Sequence, residues 1–174
     1  MGIKKLLPFE DCILNTRLSP LEVQRRMAGA IDTAQGFSWP YPGRQYAKPY
    51  KGTCAGNTFT MERNINYRNS FLPEITGTIQ PATGGTRVIV TMRLNILVLI
   101  FISLWLSATG LISIGLLVVQ YTKVIKGGSS PVSVIPFALF VFGCIITSGG
   151  FKYESGSSKR FLITLLDAVE QGDE

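Results

Sequence analysis

Two long uncharged stretches constrain this chain more than any other feature of its sequence. Residues 94–119 contain no charged side chain, and a second uncharged stretch covers residues 131–151. The hydrocarbon core of a bilayer is ~30 Å thick, and a helix needs ~20 apolar residues to cross it. Both stretches reach that length. We therefore predict a transmembrane two-helix hairpin, made of helix 94–120, a short connector at 121–130 and helix 131–150.

The residues before the hairpin predict one small domain of strands and helices. Alternating apolar and polar residues indicate strands at 9–17, 50–55, 58–65, 74–80 and 86–93. Ser19 followed by Pro20 is typical of a helix start, and we expect a helix over 20–33. The last four strands follow one another through tight turns, as in an antiparallel meander. The predicted class is an α+β membrane protein, in which a small antiparallel meander carries one or two covering helices.

After the second uncharged stretch, an apolar stripe indicates an amphipathic C-terminal helix. The stripe consists of Phe161, Leu162, Leu165, Leu166 and Val169. It can pack on the meander or lie on the bilayer. We favour the meander because the opposite side is acidic, whereas helices that lie on membranes usually carry basic residues there. The predicted organisation is a cytoplasmic α+β domain at 1–93, the hairpin, a flexible link at 155–158 and a cytoplasmic helix within 151–174.

Positive charges beside the hairpin predict its orientation, because cytoplasmic flanks are enriched in lysine and arginine. Outside the hairpin lie Arg87, Arg93, Lys152, Lys159 and Arg160, whereas the connector holds Lys123 and Lys126. The start of the chain also lacks the apolar run of a secretory signal. We therefore expect a multi-pass protein with both termini in the cytoplasm.

The sequence argues against several classes of chemistry. Histidine is absent, which removes serine–histidine–aspartate and cysteine–histidine catalysis and histidine metal ligands. The 3 cysteines form no CxxC pair and indicate neither a disulfide framework nor a zinc site. Gly84-Gly85-Thr86 lacks the frame of a phosphate-binding P-loop and is typical of a hairpin turn. We therefore predict a non-enzymatic protein without a metal or a cofactor.

Arginine is the residue type that suggests a binding site. The net charge of +6 favours anionic headgroups over nucleic acid as partners, because basic composition alone defines no base-stacking surface. The candidates for headgroup or phosphate contact are Arg63, Arg68, Arg87 and Arg93, since a guanidinium donates two hydrogen bonds to phosphate at once. Arg63 lies on the predicted core side of its strand. A structural ion pair, with Glu74 as the nearest candidate partner, is therefore the alternative.

Aromatic and small residues are the remaining candidates. Amphipathic rings favour the headgroup layer, and we expect Trp39, Tyr41, Tyr46 and Tyr121 there. A rigid surface loop around the first three is the alternative. Small residues four apart let helices approach closely. The helix-packing pairs of this kind are Ser103 and Ser107, Thr109 and Ser113, and Gly143 and Thr147.

One part of the chain resembles a known group of proteins. The segments YRNSFLPEITGTIQ at 67–80 and GTRVIVTMRL at 85–94 precede a hairpin with Trp105 in its first helix. In these features the chain, over residues 50–110, is similar to small bacterial membrane proteins in which a soluble α/β portion precedes two membrane helices. The resemblance implies an origin in a bacterial inner membrane. It implies no catalytic residue, because that group has no established activity.

Two anchors without catalytic groups favour a non-enzymatic accessory or scaffold subunit of a larger membrane protein complex. The alternative is a membrane-anchored module that binds lipid or a small ligand between the meander and its helix. A pore-forming effector is a third hypothesis, which the lack of a polar stripe on either helix disfavours. The expected partners are membrane lipids and other membrane protein subunits, and not nucleic acid.

Overall fold

The computed structural model describes residues 8–33, 46–125 and 134–171, with side chains placed for 8–33, 46–121 and 135–171. The strands within these ranges are β1 (Phe9–Thr16), β2 (Ile31–Asp32), β3 (Tyr50–Ala55), β4 (Thr58–Arg63), β5 (Pro73–Ala82), β6 (Gly85–Leu94) and β7 (Ala168–Glu170). The helices are α1 (Pro20–Ala30), α2 (Ile96–Ile125) and α3 (Val134–Leu166). The prediction of an α+β fold is confirmed.

The chain forms two compact units. One comprises Met1–Asn95 and Phe151–Glu174, and we call it the sheet unit; the other, the helical unit, is Ile96–Gly150. The sheet unit contains a single mixed sheet with the strand order β2-β3-β4-β5-β6-β1-β7.

The predicted meander is present as β3–β6, and the sheet extends beyond it on both sides. Gly56 and Gly84 occupy the hairpin turns with φ of 56° and 84°, a left-handed conformation that glycine adopts without strain. β1, whose place the sequence does not define, pairs antiparallel with β6 from Phe9↔Arg93 to Thr16↔Thr86. The short β2 runs parallel to β3, so the sheet is not purely antiparallel. Short outer strands limit pairing with other chains.

The core lies between one face of the sheet and two helical segments. Val88, Val90 and Met92 alternate inward along β6 and are fully buried. α1 buries Val23 and Met27 against this face, and the last half of α3 buries residues that include Phe151, Leu162 and Leu166. Each large apolar side chain contributes ~1.5–3 kcal/mol when buried. Of the predicted apolar stripe, Phe161, Leu162, Leu165 and Leu166 pack within the sheet unit. The inclusion of Val169 is wrong, because Val169 lies in β7 and is exposed.

α1 begins as expected and ends earlier. The Ser19 hydroxyl oxygen accepts a hydrogen bond from the Glu22 amide at 3.3 Å, and Pro20 occupies the first turn. The predicted end at residue 33 is wrong, because the helix stops at Ala30 and Ile31 enters β2.

α3 is one continuous helix where the sequence predicts two. The predicted flexible link at 155–158 is wrong, because these residues are helical and Ser155 and Ser158 are buried. The helix ends before Asp167, which has a φ of 46°, and the chain then forms β7. Glycine and serine each cost a helix at most ~1 kcal/mol relative to alanine, and packing and ion pairs outweigh that cost here.

Two helices are long and apolar enough to cross a membrane. The spans are Ile96–Tyr121, with a mean hydropathy of 2.3, and Ile135–Leu166, with 1.6 in its most apolar window. Within the helical unit, Trp105 and Leu106 of α2 lie against Gly143 of α3, and Phe140 lies against Gly110. The lack of a side chain at each glycine lets the facing ring approach the helix backbone.

Candidate functional site

The four predicted arginines do not form one site. Arg87 and Arg93 share a face of β6 but lie six residues apart, which is ~20 Å along a strand. Arg68 is exposed in the loop between β4 and β5, and Arg63 ends β4. A single phosphate group cannot contact side chains spread over this distance. The candidate set therefore divides into separate environments.

A buried carboxylate binds Arg63. Glu154 on α3 is 4% exposed, and its two oxygens accept hydrogen bonds from Arg63 Nη1 at 2.8 Å and from Asn69 Nδ2 at 2.9 Å. The predicted pairing of Arg63 with Glu74 is wrong. Glu74 lies on the opposite face of the sheet and accepts a hydrogen bond from Asn95 Nδ2 at 2.6 Å. Arg63 thus fixes α3 to β4 as a structural ion pair.

A second polar network joins α3 to β1. One Glu10 oxygen lies 2.7 Å from Lys159 Nζ, and the other accepts a hydrogen bond from the Ser155 hydroxyl at 2.8 Å. Lys159 also reaches Glu170 on β7 at 3.0 Å. Burial alone would raise the pKa of Glu10. The hydrogen bonds and charges of Lys159, Ser155 and Lys152 lower the pKa by more than burial raises it, so the net shift is downward. These contacts hold the ionised form of Glu10 in place.

No helix of the sheet unit covers the other face of the sheet within the described residues, and we call this face the open face. Four threonines form a row across it, because Thr53, Thr60, Thr76 and Thr91 are successive partners on β3, β4, β5 and β6. The hydroxyl oxygens of Thr53 and Thr60 are 2.8 Å apart and share a hydrogen bond. The row continues at Asp11 on β1.

The open face carries balanced charge and some apolar surface. Its acids on β1 and β4–β5 are Asp11, Glu62 and Glu74, and its bases on β3 and β6 are Lys51, Arg87 and Arg93. Lys51 Nζ lies 3.4 Å from Glu62. Ile13 and Ile89 are paired neighbours and half-buried, beside the row of threonines. These strands therefore carry no excess of positive charge that would favour an anionic membrane surface.

A cleft of about 670 Å³ opens at the end of β6 that lies away from Leu94. Its lining consists of Asn15, Thr16, Arg17, Ala82, Thr83, Gly84, Gly85, Thr86, Arg87, Asp167 and Val169. We call it the arginine cleft. It unites Arg87 with Arg17, a residue that sequence reasoning missed. The alternation of side chains along β1 could have identified it, because Arg17 lies two residues after the outward-facing Asn15 and so faces the same side.

The other predicted residues fall in several places. The Tyr46 hydroxyl donates to the Ile65 carbonyl oxygen at 3.0 Å, Tyr121 is exposed on α2, and Trp39 and Tyr41 lie outside the described residues. Among the small residues, Ser113, Gly143 and Thr147 are buried and Thr109 is half-buried, whereas Ser103 and Ser107 are exposed. The hydroxyls of Thr109 and Ser113 donate to carbonyl oxygens of their own helix, at 2.9 Å and 2.7 Å.

Metal-binding and thiol chemistry find little support among the described residues. They contain no group of three histidine, cysteine, aspartate or glutamate side chains suited to a metal ion. Cys12, Cys54 and Cys144 are free thiols. Burial raises the pKa of Cys12 to about 11 and also raises that of Cys54, so both thiols stay protonated and weakly nucleophilic near neutral pH.

Comparisons of the chain with protein-family models, with curated proteins and with solved structures found no match. The resemblance to small bacterial membrane proteins therefore stays a prediction.

Proposed function

We propose that this chain is a non-enzymatic accessory or scaffold subunit of a larger membrane protein complex. The open face carries this proposal. Its threonine row is made of short β-branched side chains that have few rotamers to lose, so docking a partner there costs little side-chain entropy. Ile13 and Ile89 add apolar surface at the same level.

In this proposal α2 and α3 anchor the subunit as a transmembrane hairpin. The support is their length, their hydropathy and the many large apolar side chains they expose, among them Leu97, Phe101, Leu111 and Phe142. Soluble proteins rarely expose apolar surface of this extent. The hydroxyls that bond within α2 also fit a span in lipid, where backbone and side-chain polar groups need internal partners.

We further propose a bacterial inner-membrane location with both termini in the cytoplasm. This rests on the excess of lysine and arginine outside the hairpin and on the resemblance described above. The expected partners are other membrane protein subunits, with lipid around the hairpin.

The test is co-purification of the full chain from its native membrane in mild detergent, followed by native mass spectrometry. Thr76→Arg and Thr91→Arg each place a long charged side chain in the middle of the open face. We expect both variants to release the partner while the circular dichroism spectrum stays unchanged. Leu21→Arg is the matched control, because Leu21 is 75% exposed on α1, away from the open face.

Two outcomes would contradict parts of this proposal. Isolation of the wild-type chain as a lone monomer in several mild detergents would count against a scaffold subunit. Release of the partner by Leu21→Arg but not by the threonine variants would show that the partner binds elsewhere.

A further inference from the structure

The arginine cleft places two positive charges side by side without a partner in the described part of the chain. Asn15 and Arg87 are partners across β1 and β6, as are Thr16 and Thr86. Arg17 follows next to Gly85, since a Cβ built at Gly85 would lie 2.8 Å from the Arg17 Cα. Arg17 and Arg87 are therefore diagonal neighbours on one face, with Cα atoms ~7–8 Å apart.

Two arginines that are neighbours on one face repel each other, and the cleft supplies little to offset their charge. Asp167 is the one acid in its lining. Within the described residues, Arg17 and Arg87 make no hydrogen bond or ion pair, in contrast to Arg63, which is held by Glu154. Two exposed arginine side chains that line one cleft are arranged to receive an anion.

The hairpin between β5 and β6 makes room for that anion. Gly84 has open space where a side chain would stand, and its φ of 84° favours glycine. Close approach of a ligand to backbone is a common use of glycine. The Thr83 side chain beside it can donate a hydrogen bond to an oxygen.

We propose that the arginine cleft binds the phosphate group of a phosphate monoester, with Arg17 and Arg87 as the two ligating side chains. The monoester is either a soluble small molecule or a lipid headgroup, which share this chemistry. A planar guanidinium donates two bonds to a phosphate, and two of them can meet both charges of a monoester. Arg87 also lies on the open face, but the phosphate site does not depend on the scaffold function proposed above.

Protection of arginine from phenylglyoxal tests this proposal at single residues. The full chain is placed in phosphatidylcholine nanodiscs, treated with phenylglyoxal, and read by peptide mass spectrometry. Glycerol 3-phosphate is added as the soluble probe, glycerol as its uncharged control, and phosphatidic acid in the nanodisc as the lipid probe. We expect one of the two phosphate probes to slow modification of Arg17 and Arg87 but not of Arg25, which is 84% exposed on α1.

Variants assign the site. With Arg87→Gln, the probe concentration that half-protects Arg17 should rise about tenfold or more, and Arg17→Gln should do the same for Arg87. Arg93→Gln is the matched control, because it removes the same charge from the same face of β6 and should change little. Asp167→Asn keeps a residue that tolerates positive φ and should lower the half-protecting concentration.

The two probes separate the sources of the phosphate. Protection by glycerol 3-phosphate supports a soluble ligand, and protection by phosphatidic acid alone supports a lipid headgroup. Absence of protection by both probes overturns the proposal. An equal effect of Arg93→Gln and Arg87→Gln also overturns it, because that result indicates general charge attraction.

Discussion

Removing Arg63 should destabilise the sheet unit more than removing the carboxylate that it binds. Arg63→Ala leaves Glu154 buried as an uncompensated charge, because Glu154 is 4% exposed and water cannot replace the lost partner. Glu154→Ala leaves Arg63, whose side chain is 33% exposed and can turn toward water. We therefore expect the two substitutions to lower the free energy of unfolding by unequal amounts.

The structure gives an approximate size for each loss. Removing one partner of a buried pair costs ~3–5 kcal/mol, which we expect for Arg63→Ala. Glu154→Ala loses two hydrogen bonds and leaves Asn69 Nδ2 without its acceptor, for which we expect ~1–3 kcal/mol. The double variant should be more stable than Arg63→Ala alone, because it removes the buried charge. Arg25→Ala, at a surface pair 3.8 Å long, should cost at most ~0.5 kcal/mol.

Urea unfolding of the full chain in mild detergent measures these differences. Near-ultraviolet circular dichroism reports on the core, because the Tyr50 ring packs 4.7 Å from the Phe161 ring between the sheet and α3. The free energies of unfolding are compared for both single variants, the double variant and Arg25→Ala. An Arg63→Ala loss no larger than that of Glu154→Ala would refute the reasoning from unequal burial.

Three further predictions follow from burial and charge. The pKa of Glu10 lies below its ordinary 4.5, so its ionised contacts stabilise the fold above that pH and lose their effect as pH falls through the lowered pKa; Glu10→Gln should flatten this part of a stability profile measured by urea unfolding. Gly77→Ala should cost ~1–3 kcal/mol in the same assay, because its methyl group would overlap the buried Phe59 ring, whereas Gly29→Ala has open space on α1 and should stabilise by ~0.5–1 kcal/mol. Cys12, buried and with a pKa of about 11, should resist a maleimide at pH 7 until the chain is unfolded in urea, and rapid labelling of the native chain would contradict its placement.

The meander could be predicted from the sequence because its information is local. In β5, Ile75, Gly77 and Ile79 alternate with polar residues, and consecutive strands joined by Gly-containing turns pair with each other. Both facts lie within short segments of chain. The same holds for α1, whose start is marked by Ser19 and Pro20.

Long-range pairing is the part that local patterns do not contain. The sequence of β1 indicates a strand, but its pairing with β6 depends on residues 70 to 84 positions away. The path of α3 depends on Glu154 and Ser155, whose partners Arg63 and Glu10 are separated from them by 91 and 145 positions. The weak helix formers at 155–158 therefore predict a flexible link, whereas in the structure these long-range contacts maintain a helix there.

The arginines show why a candidate site needs the register of the sheet as well as residue type. Strand alternation correctly indicates that Arg63 faces the core, but only the fold shows that Glu154 is the residue that binds Arg63. Releasing Arg63 to a ligand would leave that carboxylate buried and unpaired, so Arg63 is a poor ligand for phosphate while the ion pair exists. Arg87 forms no ion pair within the described residues. The register of β1 against β6 places Arg17 next to it. The dependence of a buried carboxylate on Arg63, rather than the position of an arginine in the sequence, therefore separates the structural arginine from those available to bind an anion.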